Sequence, residues 1–168
     1  MREVESIQVV ISDYPAPVVL SNIQQNASKA IPSRLASKYS IEGHEWGVLD
    51  SPFAASQAHH FTRILAADCY WMPGQHLNLV RSMLHFLSLV EESEVFCIAG
   101  FHTGRAKLAG FFDTAVEKGL EVAEIYEEDA EGRRREWRAE RDGGREDHTE
   151  RKKWLVIARL KRRYRDAN

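Results

Sequence analysis

Between residues 7 and 120, short apolar runs ending in an acid or a glycine alternate with stretches of helical period. Few folds accept that alternation. The run VVISDYPAP, residues 9 to 17, shows the pattern: Val9, Val10 and Ile11 lead through Ser12 to Asp13, Tyr14 and Pro15. A β-branched run of this kind reads as a strand buried on both faces. Pro15 keeps Tyr14 extended or turning. Asp13 is therefore expected at the carboxyl end of a parallel strand, where open α/β sheets bind their ligands.

The rest of the chain extends the pattern. Residues 17 to 30 predict a helix, with Val18, Val19, Ile23 and Ala27 near helical spacing. KYSIEGHEWG, 38 to 47, reads as a weaker second strand, and FTRILAADCYW, 61 to 71, as a third. A helix is expected over 76 to 90, with Leu77, Val80, Met83, Leu84 and Leu87 on one face. EVFCIAG, 94 to 100, is a strand entering the loop FHTGR, and 106 to 118 is a helix that Gly119 should cap. LEVAEIYE, 120 to 127, alternates as a strand, residues 128 to 152 read as a solvated or mobile charged excursion, and KWLVIARLKRR closes the chain. No helical pattern separates the last two strands, so they should form an antiparallel hairpin. The expected class is α/β: one domain over 1–168 with a mostly parallel sheet and helices on both faces.

Composition narrows the function classes. Lys plus Arg number 23 and Asp plus Glu 25, a formal charge of −2 that makes no general case for nucleic acid. The arginines of GRRREWRAERDGGR alternate with acids, which favours a solvated hairpin tip over an RNA-binding stripe. Cys69 and Cys97 lie in apolar stretches without metal spacing and read as reduced thiols of a cytoplasmic chain, with the nucleus also open. No apolar run approaches a membrane span, and MREVES is not a signal peptide. His59, His60 and His76 lack metal spacing and a supporting acid cluster, so no metal is expected.

Taken in order, the strand ends SDYP, HEWG, AADCYW and AGFHTGR and the charged hairpin before ERKKWLVIARL carry a resemblance. From about Val9 to Arg163 the chain resembles the seven-strand S-adenosylmethionine-dependent methyltransferases, whose sheet is Rossmann-like. More narrowly, it is similar to the fungal nicotinamide N-methyltransferase-like branch of the lysine-methyltransferase group. The resemblance implies S-adenosylmethionine as cofactor and an amine nitrogen as acceptor, on a small pyridine such as nicotinamide or on a protein lysine or N-terminus. It assigns Asp13 to the ribose hydroxyls and Tyr14 to the adenosine, and places Trp46 and Gly47 near the cofactor. Ala67, beside Ala66, would let the cofactor lie against the backbone. Asp68, Tyr70 and Trp71 would line the substrate mouth, and His102 would orient or deprotonate the nucleophile.

The residues by themselves leave alternatives open. An ionised carboxylate accepts hydrogen bonds from two adjacent hydroxyls well, yet Asp13 could equally be a turn former or helix cap before Pro15. Trp46 could be a packing indole, Asp68 an N-cap or loop carboxylate, Tyr70 and Trp71 a packed aromatic lid, and His102 a loop histidine without a task. Methyl transfer by in-line displacement needs orientation more than acid–base groups. No residue is assigned as catalytic.

One departure from the pattern is plain. The family has a strand and a glycine-rich loop ahead of the acid, whereas Gly-x-Gly occurs nowhere in this sequence. The expectation is an N-terminally truncated domain without the family's first strand, its loop and its first helix. Because that strand is central, its absence would leave sheet edges unpaired and open to self-association. A second class of function follows, a non-catalytic remnant serving as a protein-interaction module.

Overall fold

Val9–Asp13 forms the first strand, β1, as its β-branched run requires, but none of its residues is buried, so the expectation of burial on both faces is corrected. The computed structural model describes residues 8–164, in two compact units that divide between Ser56 and Gln57. In the first unit, helix α1 (Pro17–Ala30) follows β1, starting on a proline whose fixed φ suits a first helical turn. Ile31, extended ahead of Pro32, ends it. A 3-10 turn at Ser33–Lys38 leads to β2 (Tyr39–Gly43), and α2 (Pro52–Ser56) closes the unit. β1 and β2 are parallel, with Val9 beside Tyr39 and Asp13 beside Gly43.

The expected second strand, 38 to 47, thus stops at Gly43. A Cβ on Gly43 would lie 2.8 Å from that of Pro15, so the turn after β1 packs against bare backbone there. His44 then donates its N–H to the Asp13 carbonyl, and the chain turns away with Gly47 at φ 85°. Residue 7, expected in the first strand, lies outside the described residues.

The second unit holds a five-stranded mixed sheet in the order β3-β4-β7-β5-β6. Its elements are β3 (Arg63–Ala67), α3 (His76–Phe86), β4 (Glu94–Gly100), α4 (Arg105–Lys118), β5 (Leu120–Asp129), β6 (Arg134–Glu136), α5 (His148–Arg151) and β7 (Trp154–Arg162). β3 and β4 are parallel, joined through α3, whereas β7 runs antiparallel to both β4 and β5. The sheet is therefore Rossmann-like where helices connect strands, and it ends in the expected antiparallel hairpin. Val95, Cys97 and Ala99 of β4 and Val156, Ala158 and Leu160 of β7 are buried. Leu79, Val80 and Met83 of α3 and Leu108, Phe111, Phe112 and Ala115 of α4 complete the core. Each large side chain buried this way contributes about 1.5–3 kcal/mol.

Two boundaries fall short of the expected spans. α3 stops at Phe86 rather than residue 90 because Leu87, fully buried, pairs with Phe61 in a parallel bridge. β3 stops at Ala67 because Asp68 takes φ 53°, in the left-handed region. The excursion over 128 to 152 is a correction to the expected solvated loop. β5 runs on to Asp129, β6 pairs with it, and Asp147 caps α5 by accepting the N–H groups of Thr149 and Glu150. Among the described residues, β1 and β3 each pair on one side only, and no helix is long and apolar enough to cross a membrane.

Candidate functional site

Because β1 and β2 run parallel, their carboxyl ends bring Asp13, Tyr14 and the His44–Gly47 turn together in the first unit. Asp13 is exposed and its Oδ1 accepts the N–H of Tyr14 at 2.7 Å, the only side-chain bond it makes among the described residues. It is not a helix cap: the N-cap of α1 is Ala16, without any side-chain bond. Tyr14 is 57% exposed and presents its ring to solvent. Trp46 is half-buried, and Gly47 needs its positive φ to complete the turn. His44 is buried edge-on to Phe53, 6.2 Å between ring centroids, while Glu45 is exposed. An exposed carboxylate beside an exposed aromatic ring is a set that fits a ribose diol and a flat base.

In the second unit, the parallel ends of β3 and β4 enclose a cavity of about 130 Å³ lined by Asp68, Tyr70, Trp71, Gly100, His102 and Leu108. Four of the sequence-predicted residues thus meet there. Ala67 does not join them: it is exposed on β3, outside the lining. Asp68 is exposed in its left-handed conformation, with its N–H donated to Ile98 O. Trp71 is 53% exposed at the rim. The His102 ring lies over Gly100, where a Cβ would come within 2.8 Å of Nε2, so glycine makes room for the imidazole. The volume has room for roughly four waters or a short alkyl amine.

Tyr70 is the packed member of the group. It is 1% exposed, donates its hydroxyl to Ala66 O at 2.7 Å, and packs 4.3 Å from Phe111, centroid to centroid. Burial pushes its pKa well above the ordinary phenol value, so it is a neutral wall. Burial likewise pushes the Cys97 thiol up to about 12, leaving it unreactive. His76, also buried, bonds to Tyr70 O through Nε2 at 2.9 Å and holds this wall. Among the described residues no cluster of three His, Cys, Asp or Glu side chains could hold a metal ion.

The second unit also holds a charged cluster that the sequence reading missed. Arg105, first residue of α4 and 6% exposed, donates to both Glu127 oxygens at 2.5 and 3.2 Å and both Glu146 oxygens at 2.7 and 3.0 Å. Glu127 has no exposed surface, and also accepts from Arg135 and Arg141. The Arg105 guanidinium stands 4.2 Å over the Phe101 ring, which stacks on Trp137. Burial opposes the charges here, but hydrogen bonding outweighs it, raising Arg105 above its ordinary pKa and holding Glu146 below the usual carboxylate range. Arg133 and Arg134 pair with Asp129 and Glu128.

The fold has parallels among solved structures. The chain superposes over 95% of its length on the [4+2]-cyclase SpnF, with TM-score 0.60 and 8% identity, covering 68% of that chain. It superposes equally, TM-score 0.60 at 11% identity, on a 16S rRNA (adenine(1408)-N(1))-methyltransferase with its cosubstrate SAM from Catenulisporales acidiphilia, covering 95% of this chain and 77% of that one. The fold is the Rossmann-like methyltransferase fold. That one neighbour is a cyclase shows that the fold alone does not fix the reaction. No family model matches the chain. By sequence it is 27% identical over 134 residues to the protein N-terminal and lysine N-methyltransferase EFM7 of Gibberella zeae, covering 71% of this chain and 51% of that protein. To the EFM7 of Candida glabrata it is 29% identical over 135 residues, covering 74% and 52%. The chain thus spans about half the length of these curated relatives.

Proposed function

We propose that the chain is an S-adenosylmethionine-dependent N-methyltransferase domain whose acceptor is a protein amine, an N-terminus or a lysine. The observation that carries this is sequence similarity to fungal proteins named for N-terminal and lysine methylation, over some seven-tenths of the chain. The strand-tip chemistry supports it: Asp13 has an oxygen to offer a ribose hydroxyl, and Tyr14 an exposed face for the adenosine. When bound, the cofactor supplies an electrophilic methyl group on a sulfonium. Asp68 and the Trp71 face suit an incoming ammonium, one by charge and the other by cation–π attraction. His102, over Gly100 in the same cavity, is placed to take its proton. The same proposal includes the cytoplasm, where Cys69 and Cys97 stay as free thiols.

A protein acceptor is preferred to nicotinamide because the relatives' names specify protein amines. A second reading, a non-catalytic protein-interaction module, is favoured by the lack of any Gly-x-Gly in the sequence, since backbone approach to the methionine end of the cofactor needs such a loop. Calorimetric titration with S-adenosylhomocysteine separates the two. Binding that disappears in Asp13→Ala is expected; flat heats from folded wild-type protein would favour the module. Transfer of labelled methyl to a lysine-containing peptide, and not to nicotinamide, is the expected acceptor result.

A further inference from the structure

His102 sits at the tip of a turn whose two feet are held by other parts of the second unit. Gly104 donates its N–H to Phe101 O at 3.1 Å and closes the turn. His102 and Thr103 form its tip, both exposed and both in the lining of the cavity. A tip so exposed keeps one geometry only if its feet are fixed.

Both feet meet at one guanidinium. Phe101, 1% exposed, lies 6.0 Å from the Trp137 ring at an interplanar angle of 10°. The Arg105 guanidinium stands 4.2 Å from the Phe101 centroid and 5.5 Å from that of Trp137, so it lies against both rings. Each of its N–H groups has an acceptor: two bonds go to Glu127, two to Glu146 and one to Arg138 O at 2.9 Å. Trp137, Arg138 and Glu146 all belong to the charged segment between β5 and β7.

As a stability device this arrangement is a poor one. A cation in the first turn of a helix opposes the helix dipole, and α4 has no acid there to offset it. Buried ion networks also tend to stabilise no better than apolar residues of the same volume. What a planar, fully bonded fork does supply is a fixed direction.

We propose that Arg105 and Trp137 are positioning residues for His102, through which the segment between β5 and β7 holds the His102–Thr103 turn in one conformation at the cavity. The task of His102, taking the proton of an amine acceptor, rests on the proposed function; the holding of the turn does not.

The test is nitrogen-15 relaxation of the full chain, read at the His102 and Thr103 amides. Wild type should give order parameters of about 0.85, the rigid-backbone value, and Trp137→Ala values below about 0.6. Trp137→Phe, which keeps a ring against Phe101 and Arg105, should restore the wild-type figure. Glu146→Gln, which keeps the shape and removes the charge, should loosen the turn too and serves if Trp137→Ala fails to fold. Gly119→Ala, at the other end of α4, weakens the fold without touching these contacts and should leave the turn rigid. In methyl transfer to a lysine-containing peptide, kcat of Trp137→Ala should fall by about 10–100-fold with KM for S-adenosylmethionine unchanged. A turn that is mobile in wild type, or as rigid in Trp137→Ala and Glu146→Gln as in wild type, overturns the proposal; so does loosening that Gly119→Ala shares. Should wild type transfer no methyl, the proposed function fails, and the order parameters still decide the positioning.

Discussion

Glu127 is a carboxylate solvated by guanidinium groups instead of water, receiving Arg105, Arg135 and Arg141. Removing one partner of such a buried set leaves uncompensated charge, which typically costs about 3–5 kcal/mol. Glu127→Ala is expected to lower the urea-unfolding free energy by about that much, with Glu127→Gln losing less. Acid should weaken the same region. Burial opposes the charge on Glu146 and Asp129, yet both are held below their ordinary pKa, Glu146 by Arg105 and Asp129 by hydrogen bonds from Arg133. Their stabilisation is fully present above the unfolded-state carboxylate values, near 4, and is lost as pH falls through the lower folded values. Melting temperature measured from neutral pH downward should hold to about pH 5 and then decline. The cluster escaped the sequence reading for a definable reason. Counting alternate residues from Leu120 puts Glu127 on the outer face, but a bulge between Val122 and Glu124 reverses the phase, so Ile125, Glu127 and Asp129 turn inward. The strand-tip residues were legible, because an acid or glycine ending an apolar run marks a carboxyl end whatever the phase.

At the scale of elements, the spans set by local signals agree with the structure and those set by distant contacts do not. α1, from Pro17 to Ala30, and β4, from Glu94 to Gly100, have proline, glycine and charged boundaries close at hand, and both match the expected ends. α3 ends early through Leu87 meeting Phe61, a partner 26 residues away that no local pattern announces. α4 behaves as its sequence indicates: Gly119 ends it in the left-handed region at φ 108°, donating its N–H to Val116 O. Since the space beside Gly119 is open, only backbone strain opposes a side chain there. Gly119→Ala should therefore lower the unfolding free energy by about 1–2 kcal/mol with no change in the methyl-donor affinity. Urea titration beside calorimetry with S-adenosylhomocysteine would check both halves.

For the whole molecule, burial is uneven. Among the described residues of the first unit, Ala27 and Ala54 are the buried apolar side chains, whereas the second unit encloses Phe111, Leu87, Leu120, Leu160 and Val80 with almost no exposed surface. A two-stranded sheet with so little enclosed apolar area is marginal. Hydrogen exchange should find the amides of β1 and β2 exchanging faster than those of β4 and β7. On the proposed cofactor role of Asp13 and Tyr14, adding S-adenosylhomocysteine should slow the exchange of β1 and β2 in particular, because a ligand stabilises whatever it binds. Equal protection across all four strands before addition would contradict this.

The segment between β5 and β7 looks dispensable as text, a charged insert in a small protein. Yet Arg138, Arg141 and Glu146 of that insert serve Arg105 of α4 and Glu127 of β5. Pruning it to a tight turn would strip the Arg105–Glu127 pair of Glu146, Arg135 and Arg141, leaving each of the two side chains only the other. A shortened version would need both replaced by apolar residues in the same step, and natural chains with a brief connection here should lack the Arg–Glu pair altogether.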